Sequence, residues 1–203
     1  CIRDSPVCLI LGDNIFYGRS DFDKALQEFT DGALVFGYRV NDPERYGVLA
    51  FDEEGRVCDI VEKSPTPPSP YAVVGFYIYD ETVVERAKQL VPSNRGELEI
   101  TDLNRSYLRD GKLKVKLLGR GIAWLDTGTP KSLQDASNFL AAVEERQGLK
   151  LACIEEVAYN MGYIDREKLR ALIRSMPKSS YRSYLEGLLH EKKSLEMQVQ
   201  SKE

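Results

Sequence analysis

The chain has 203 residues, 42% of them apolar and 30% charged, with the two signs interspersed to a formal net charge of −4. That length suits one sizeable core, or one core with a small helical appendage. The charge pattern argues against a nucleic-acid-binding stripe or a polybasic membrane patch, so any bound anion needs a local cation.

Val7 to Leu11 is an unbroken apolar run ended by Gly12, the pattern of a strand buried on both faces in a parallel sheet, which puts Asp13 at the strand's mouth. Ser20 is the predicted N-cap of a helix carrying Phe22, Ala25, Leu26 and Phe29, and Gly32 separates it from a strand at "ALVFGYRV". "YGVLAFDEEGRVCDIVEK" predicts a hairpin, and the prolines of "SPTPPSP" bar strand pairing after it. "YAVVGFYIYD" predicts a strand, Thr82 to Leu90 a helix, "ELEITDLNRSYLRDG" a helix stopped by Gly111, and "KLKVKLLG" a half-exposed strand.

Thr129 and Pro130 open a further helix with Leu133, Ala136, Leu140 and Val143 on one face and Gly148 as its stop. From about Cys153 the pattern is helical only, with Leu169, Leu172, Ile173 and Met176 on one helix and Tyr181, Tyr184, Leu185, Leu188 and Leu189 on another. The expected division is therefore 1–150 for the main domain and 151–203 for a C-terminal helical appendage whose last dozen residues fray.

No run approaches the roughly 20 apolar residues of a membrane span, and Cys1-Ile2-Arg3-Asp4-Ser5-Pro6 is not a signal peptide. Cys1, Cys8, Cys58 and Cys153 are scattered, without a C-x-x-C, which argues for reduced thiols in the cytoplasm rather than disulfides or zinc. The first residue is not Met, which points to a truncated chain.

Ligands in open α/β sheets bind outside strand ends, which singles out Asp13 and Asp126. Two carboxylates facing one mouth suit Mg²⁺, which completes its shell with water and substrate phosphates; equally, Gly-Asp-Asn reads as a turn and Asp-Thr-Gly-Thr as a helix-capping loop. Glu62 and Lys63 together suit a sugar phosphate, the carboxylate for hydroxyls and the ammonium for phosphate, provided the strand bends between them; the alternative is a solvated surface pair. Gly47 offers a bare backbone beside Tyr46, and Trp124 a flat wall next to Asp126, though both patterns also fit turn and core. "GELEITD" reads as structural, its acidic residues serving a helix dipole. His190 is the single histidine and sits in a Lys-rich helix end, which argues against a histidine base.

In order along the chain, "LILGDNIFYG", "DPERYGV", "VEKSP", "YAVVGFYIYD", "RGELEITDLNRSYL", "GRGIAWLDTGTPKSL" and "ERQGLKLACIEEVAY" closely resemble the glucose-1-phosphate thymidylyltransferase family to about Leu189. The resemblance implies an α/β fold, a Rossmann-like, GT-A-like mixed sheet, here N-terminally truncated. It implies Mg²⁺ held by Asp13 and Asp126, glucose hydroxyls on Glu62, Lys63 beside the sugar phosphate, hexose contacts from Gly47 and Val73, and Tyr46 and Trp124 alongside. The implied substrates are glucose 1-phosphate and dTTP, the products dTDP-glucose and pyrophosphate on the way to dTDP-rhamnose, and the implied assembly a cytoplasmic homotetramer.

The family's G-G-x-G-x-R triphosphate loop, its downstream Lys and its thymine-reading Gln and Gly have no counterpart here, so the expectation is a chain inactive by itself. Ser64 stands for the usual Pro, Val74 for a common Thr, "GRSDFDKAL" carries one extra residue, and Asn160 replaces an Arg of the regulatory nucleotide site, which puts feedback inhibition in doubt. The competing expectations are a non-catalytic sugar-nucleotide-binding or regulatory subunit, and a fragment that completes its sheet only with a partner.

Overall fold

A computed structural model describes residues 5–18 and 22–200, with side chains as far as His190. Cys1 and the predicted N-cap Ser20 lie outside the described residues. The chain forms two compact units, Cys1–Leu133 and Gln134–Glu203, which meet inside a helix.

The first unit is a mixed sheet. Its strands are β1 (Val7–Ile10), β3 (Ala33–Arg39), β4 (Gly47–Phe51), β5 (Val57–Glu62), β6 (Tyr71–Tyr79) and β7 (Leu113–Leu117), ordered β5-β4-β6-β3-β7 with β1 also on β6. A separate ribbon joins β2 (Asn14–Gly18) antiparallel to β8 (Ile122–Asp126). Helices α1 (Phe22–Glu28), α2 (Val83–Lys88) and α3 (Ile100–Arg109) belong to the same unit.

Alternation makes both sheet faces apolar. Leu34 and Phe36 on β3 and Ala72, Val74, Phe76 and Ile78 on β6 are buried with Ala25 and Trp124. The intervening residues Ala33 and Val35, with Tyr77 and Tyr79, are buried with Val83, Leu103 and Tyr107 on the other side. Phe22 meets Phe36 and Phe76 edge-on, with ring centroids 4.8 and 4.5 Å apart, so α1 is anchored by aromatic packing.

Two expectations require correction. β1 is not a parallel strand buried on both faces: it pairs antiparallel with β6, and Leu9 and Ile10 are 38% and 57% exposed. An apolar run encodes a preference for cover, but neither the direction of the neighbouring strand nor how many neighbours it has among the described residues. The ribbon of β2 and β8 is absent from the sequence-based expectation, because "NIFYG" and "IAWLD" are too short and too aromatic to separate strand from turn.

β6 frames the cavity of this unit. β3 takes one of its edges, pairing through residues 71–73 and 77–79. The opposite edge is shared: β4 pairs at Ala72 and β1 at residues 76–79. The end of β1 and the start of β4 therefore diverge around Val73 and Gly75, leaving a notch in the sheet.

The second unit holds most of α4 (Pro130–Gln147), with α5 (Ile154–Asn160), α6 (Arg166–Ser175) and α7 (Ser180–Gln200). Thr129 caps α4 as expected, its hydroxyl accepting from the Ser132 N–H at 3.1 Å. Cys153, Leu169, Ile173, Leu185 and Leu189 form the unit's core. Helical backbone reaches Gln200 through a Glu, Lys, Leu, Met and Gln-rich stretch of good helix formers. No helix among the described residues is long and apolar enough to cross a membrane.

Candidate active site at the notch in the sheet

The notch opens into a cavity of about 490 Å³ that every site residue named from the sequence lines: Asp13, Tyr46, Gly47, Glu62, Lys63, Val73, Trp124 and Asp126. Asp13 arrives from the turn after β1, Gly47 from the start of β4, Val73 from the exposed gap in β6, and Trp124 and Asp126 from β8. They lie up to 113 positions apart in the chain (126 − 13).

The two aspartates face a common point. A Cβ placed on Gly128 would lie 3.1 Å from Asp126 Oδ1 and 3.6 Å from Asp13 Oδ2, so the space that a side chain would fill is bordered by both carboxylates. Backbone pairing produces this: Asn14 stands opposite Asp126 in the ribbon, and Thr127 donates to the Asp13 carbonyl from its N–H at 2.8 Å and its hydroxyl at 2.9 Å. Among the described residues no group of three or more His, Cys, Asp or Glu converges. A donor set of two carboxylates fits Mg²⁺, which tolerates few protein ligands and keeps water or phosphate oxygens for the rest.

Asp126 is also held by its neighbours, among them Arg45, which the sequence alone did not single out. Its Oδ2 accepts from Arg45 Nη2 at 2.9 Å and from the Tyr46 hydroxyl at 3.3 Å, and its Oδ1 from the Gly128 N–H at 3.1 Å. Arg45 is shared with Asp42 at 2.8 Å. Burial, and after it the charge of Asp126, pushes the Tyr46 phenol up to about 12, so it remains a donor through the neutral range. Tyr77, on the cavity wall, is likewise raised, by burial first and then by the charges of Glu62 and Asp13.

Glu62 and Lys63 share the cavity because the strand ends between them. β5 stops at Glu62, and Lys63 adopts φ 41°, in the left-handed region, with its N–H donating to the Tyr46 carbonyl at 2.9 Å. That turn brings both side chains to one side, with Lys63 Nζ 3.9 Å from Glu62 Oε1.

Glu62 is fixed from beneath. The buried Thr101 hydroxyl donates to Glu62 Oε2 at 2.5 Å, and Arg95 Nη1 lies 3.7 Å from Oε1. The stretch "GELEITD", expected to be structural, thus supplies Thr101 to the cavity wall. Its signal was a hydroxyl residue at the start of a helix, indistinguishable in sequence from a cap. Gly47 leaves room for this pair, since a Cβ there would come within 2.9 Å of both Glu62 Oε2 and Thr101 Oγ1.

A mixed sheet with a cavity at a strand-partner switch, lined by paired acids and an acid and base on one bend, is an arrangement for handling phosphates. The chain belongs to the nucleotidyl transferase family, whose model matches residues 1–143. Among its relatives, the glucose-1-phosphate thymidylyltransferase of Neisseria meningitidis serogroup A is 53% identical over 191 residues, covering 93% of this chain and 66% of that protein. The enzyme of the same name from Xanthomonas campestris pv. campestris is 52% identical over 189 residues, covering 92% of this chain and 64% of its own length. The chain thus spans just under two thirds of these relatives.

A solved structure from Bacillus anthracis, assigned as a glucose-1-phosphate thymidylyltransferase and bound to sucrose, aligns with a TM-score of 0.59 at 42% identity over 67% of this chain and 55% of that one. A UDP-glucose pyrophosphorylase in complex with UDP-glucose shares the fold, with a TM-score of 0.60 at 24% identity over 70% of this chain and 57% of that one.

Proposed function

We propose that this chain supplies the sugar-phosphate and metal side of thymidylyl transfer to glucose 1-phosphate. A phosphate oxygen of the sugar phosphate forms a bond to the α-phosphorus of dTTP, the bond to the β-phosphate oxygen breaks, and dTDP-glucose and pyrophosphate result. The observation that carries this reading is the convergence of Asp13 and Asp126 at Gly128 in the same cavity as Glu62 and Lys63. The names of the relatives support the choice of substrates.

In this reading Glu62, held by Thr101, accepts hydrogen bonds from glucose hydroxyls, and Lys63 offsets the charge of the sugar phosphate. Gly47 and Val73 present backbone to the hexose, Tyr46 lies alongside, and Trp124 forms the apolar wall. Asp13 and Asp126 would hold Mg²⁺, which when bound offsets charge on the triphosphate and on the departing pyrophosphate. The nucleophile is an anion at neutral pH, so position and charge suffice and no general base is required. The single histidine, His190, belongs to the second unit, in α7.

The same reading puts the protein in the cytoplasm as a homotetramer in dTDP-rhamnose supply. Calorimetric titration of the chain with glucose 1-phosphate, with Mn²⁺ or Mg²⁺ present, tests the site. Saturable binding that Glu62→Ala abolishes, and a cation-dependent increment that Asp126→Asn removes, are the expected results. Binding unaffected by either substitution, or no binding, overturns the reading.

A further inference from the structure

Asn14 touches both sides of the cavity through one carboxamide. Its Oδ1 accepts from Trp124 Nε1 at 2.6 Å and from the Gly75 N–H at 3.0 Å, and its Nδ2 donates to Asp13 Oδ1 at 2.7 Å. An indole N–H and a backbone N–H can only donate, so the atom between them is the amide oxygen, and the amino group is left for the carboxylate. The partners therefore determine which way the amide points.

The fit is tight. A Cβ on Gly75 would lie 2.7 Å from Asn14 Cγ and Oδ1 and 2.8 Å from Nδ2, so the carboxamide lies directly against the backbone of β6 at the notch. Aspartate at position 14 would set a second carboxylate against Asp13, leucine would leave the indole of the buried Trp124 without an acceptor, and glutamine would be one methylene too long.

With Oδ1 of Asp13 engaged by Asn14, it is Oδ2 that turns to Gly128 and Asp126. We propose that Asn14 is a positioning residue that aims the Asp13 carboxylate at the shared cation and holds the Trp124 indole against the sugar, so that the two sides of the site are set together. The inference rests on the reading that Asp13 and Asp126 hold a divalent cation. Groups that orient metal ligands in this way are worth about 10- to 100-fold in metal affinity.

Two measurements on the intact chain test it. Trp124 is the single tryptophan, so a ¹⁵N–¹H spectrum contains one indole resonance. Asp13→Asn changes the charge on the far side of the carboxamide without touching Trp124, and because Asp13 is exposed the variant is expected to retain its fold. Displacement of the indole resonance in this variant, without metal, is the expected result; an indole unmoved from its wild-type position overturns the coupling.

The second measurement is free Mn²⁺ by electron paramagnetic resonance. Asn14→Ala is expected to weaken Mn²⁺ binding about 10- to 100-fold. A folded Asn14→Ala chain that binds Mn²⁺ as the wild type does overturns the positioning role, and if that variant fails to fold, the Asp13→Asn indole comparison decides. Wild-type Mn²⁺ binding that is indifferent to Asp126→Asn sinks the cation reading itself, while the metal-free indole comparison still decides for or against Asn14.

Discussion

Arg45 holds Asp126 through the same carboxylate oxygen, Oδ2, that accepts the Tyr46 hydroxyl, with Arg45 Nη2 at 2.9 Å. A cation drawn to Asp126 meets a guanidinium already there. Arg45 is 37% exposed on its side chain, so the pair is worth at most about 1 kcal/mol, or roughly fivefold in affinity. We predict that Arg45→Ala tightens Mn²⁺ binding severalfold, read by Mn²⁺ titration. A weakened affinity would mean instead that Arg45 organises Asp126 for the metal.

Thr101 tests whether Glu62 must be held to work. Its hydroxyl donates to Glu62 Oε2 at 2.5 Å, and valine keeps its shape while removing the donor. A hydrogen bond to a charged group contributes about 1.5 kcal/mol or more, so Thr101→Val is expected to weaken glucose 1-phosphate binding about tenfold. Glu62→Ala should weaken it further, and the double variant should be no worse than Glu62→Ala alone, because the two residues act as one. Additive losses by calorimetry would separate them.

Alkaline titration reads the setting of Tyr46. Burial and the Asp126 charge raise its phenol from 10.0 to about 12. Between those values the folded chain keeps a proton that the unfolded chain has lost, so this contribution to stability is complete below pH 10 and disappears as pH rises towards 12. The difference in phenolate absorbance between wild type and Tyr46→Phe should show a single group ionising near the upper value. A midpoint near 10 would contradict the burial of the ring and its contact with Asp126.

Asp80 ties the end of β6 to its surroundings. It is 4% exposed and accepts from the Gly32 N–H at 2.9 Å, the Thr82 N–H at 3.0 Å, the Thr82 hydroxyl at 2.5 Å and the Tyr107 hydroxyl at 3.0 Å. Burial pushes its carboxyl up, but the hydrogen bonds from Thr82, Gly32 and Tyr107 outweigh it and hold the group below its ordinary 3.8. Its stabilisation is therefore present above pH 3.8 and lost as pH falls through the lower folded value. Asp80→Asn has one carbonyl oxygen for four donors and should cost about 1–3 kcal/mol in urea unfolding at neutral pH, with a flatter acid limb. An unchanged midpoint would refute this.

Much of the first unit was legible because its signals are local. The hairpin at "YGVLAFDEEGRVCDIVEK", the strand "YAVVGFYIYD" and the Thr129 and Pro130 helix start all stand where alternation and capping put them. The ribbon of β2 and β8 was not, since neither strand pairs with a neighbour in sequence. Thr101, Arg45 and Asn14 were invisible as site residues for a related reason. Each sits in a stretch with an adequate local explanation as a cap, a surface charge or a turn.

By itself the sequence determined which residue types stand at the ends of the apolar runs, and hence that carboxylates and a lysine were the candidates for the chemistry. The tertiary structure alone decided that they meet. β6 changes partner from β4 to β1 along one edge, and the gap lets the turns at Asp13 and Gly47 close over the same backbone. The physical reason is that hydrophobic periodicity reports how each segment prefers to be covered, whereas strand direction, register and partner are set by long-range hydrogen bonding and close packing, such as Asn14 against Gly75, that no single segment contains.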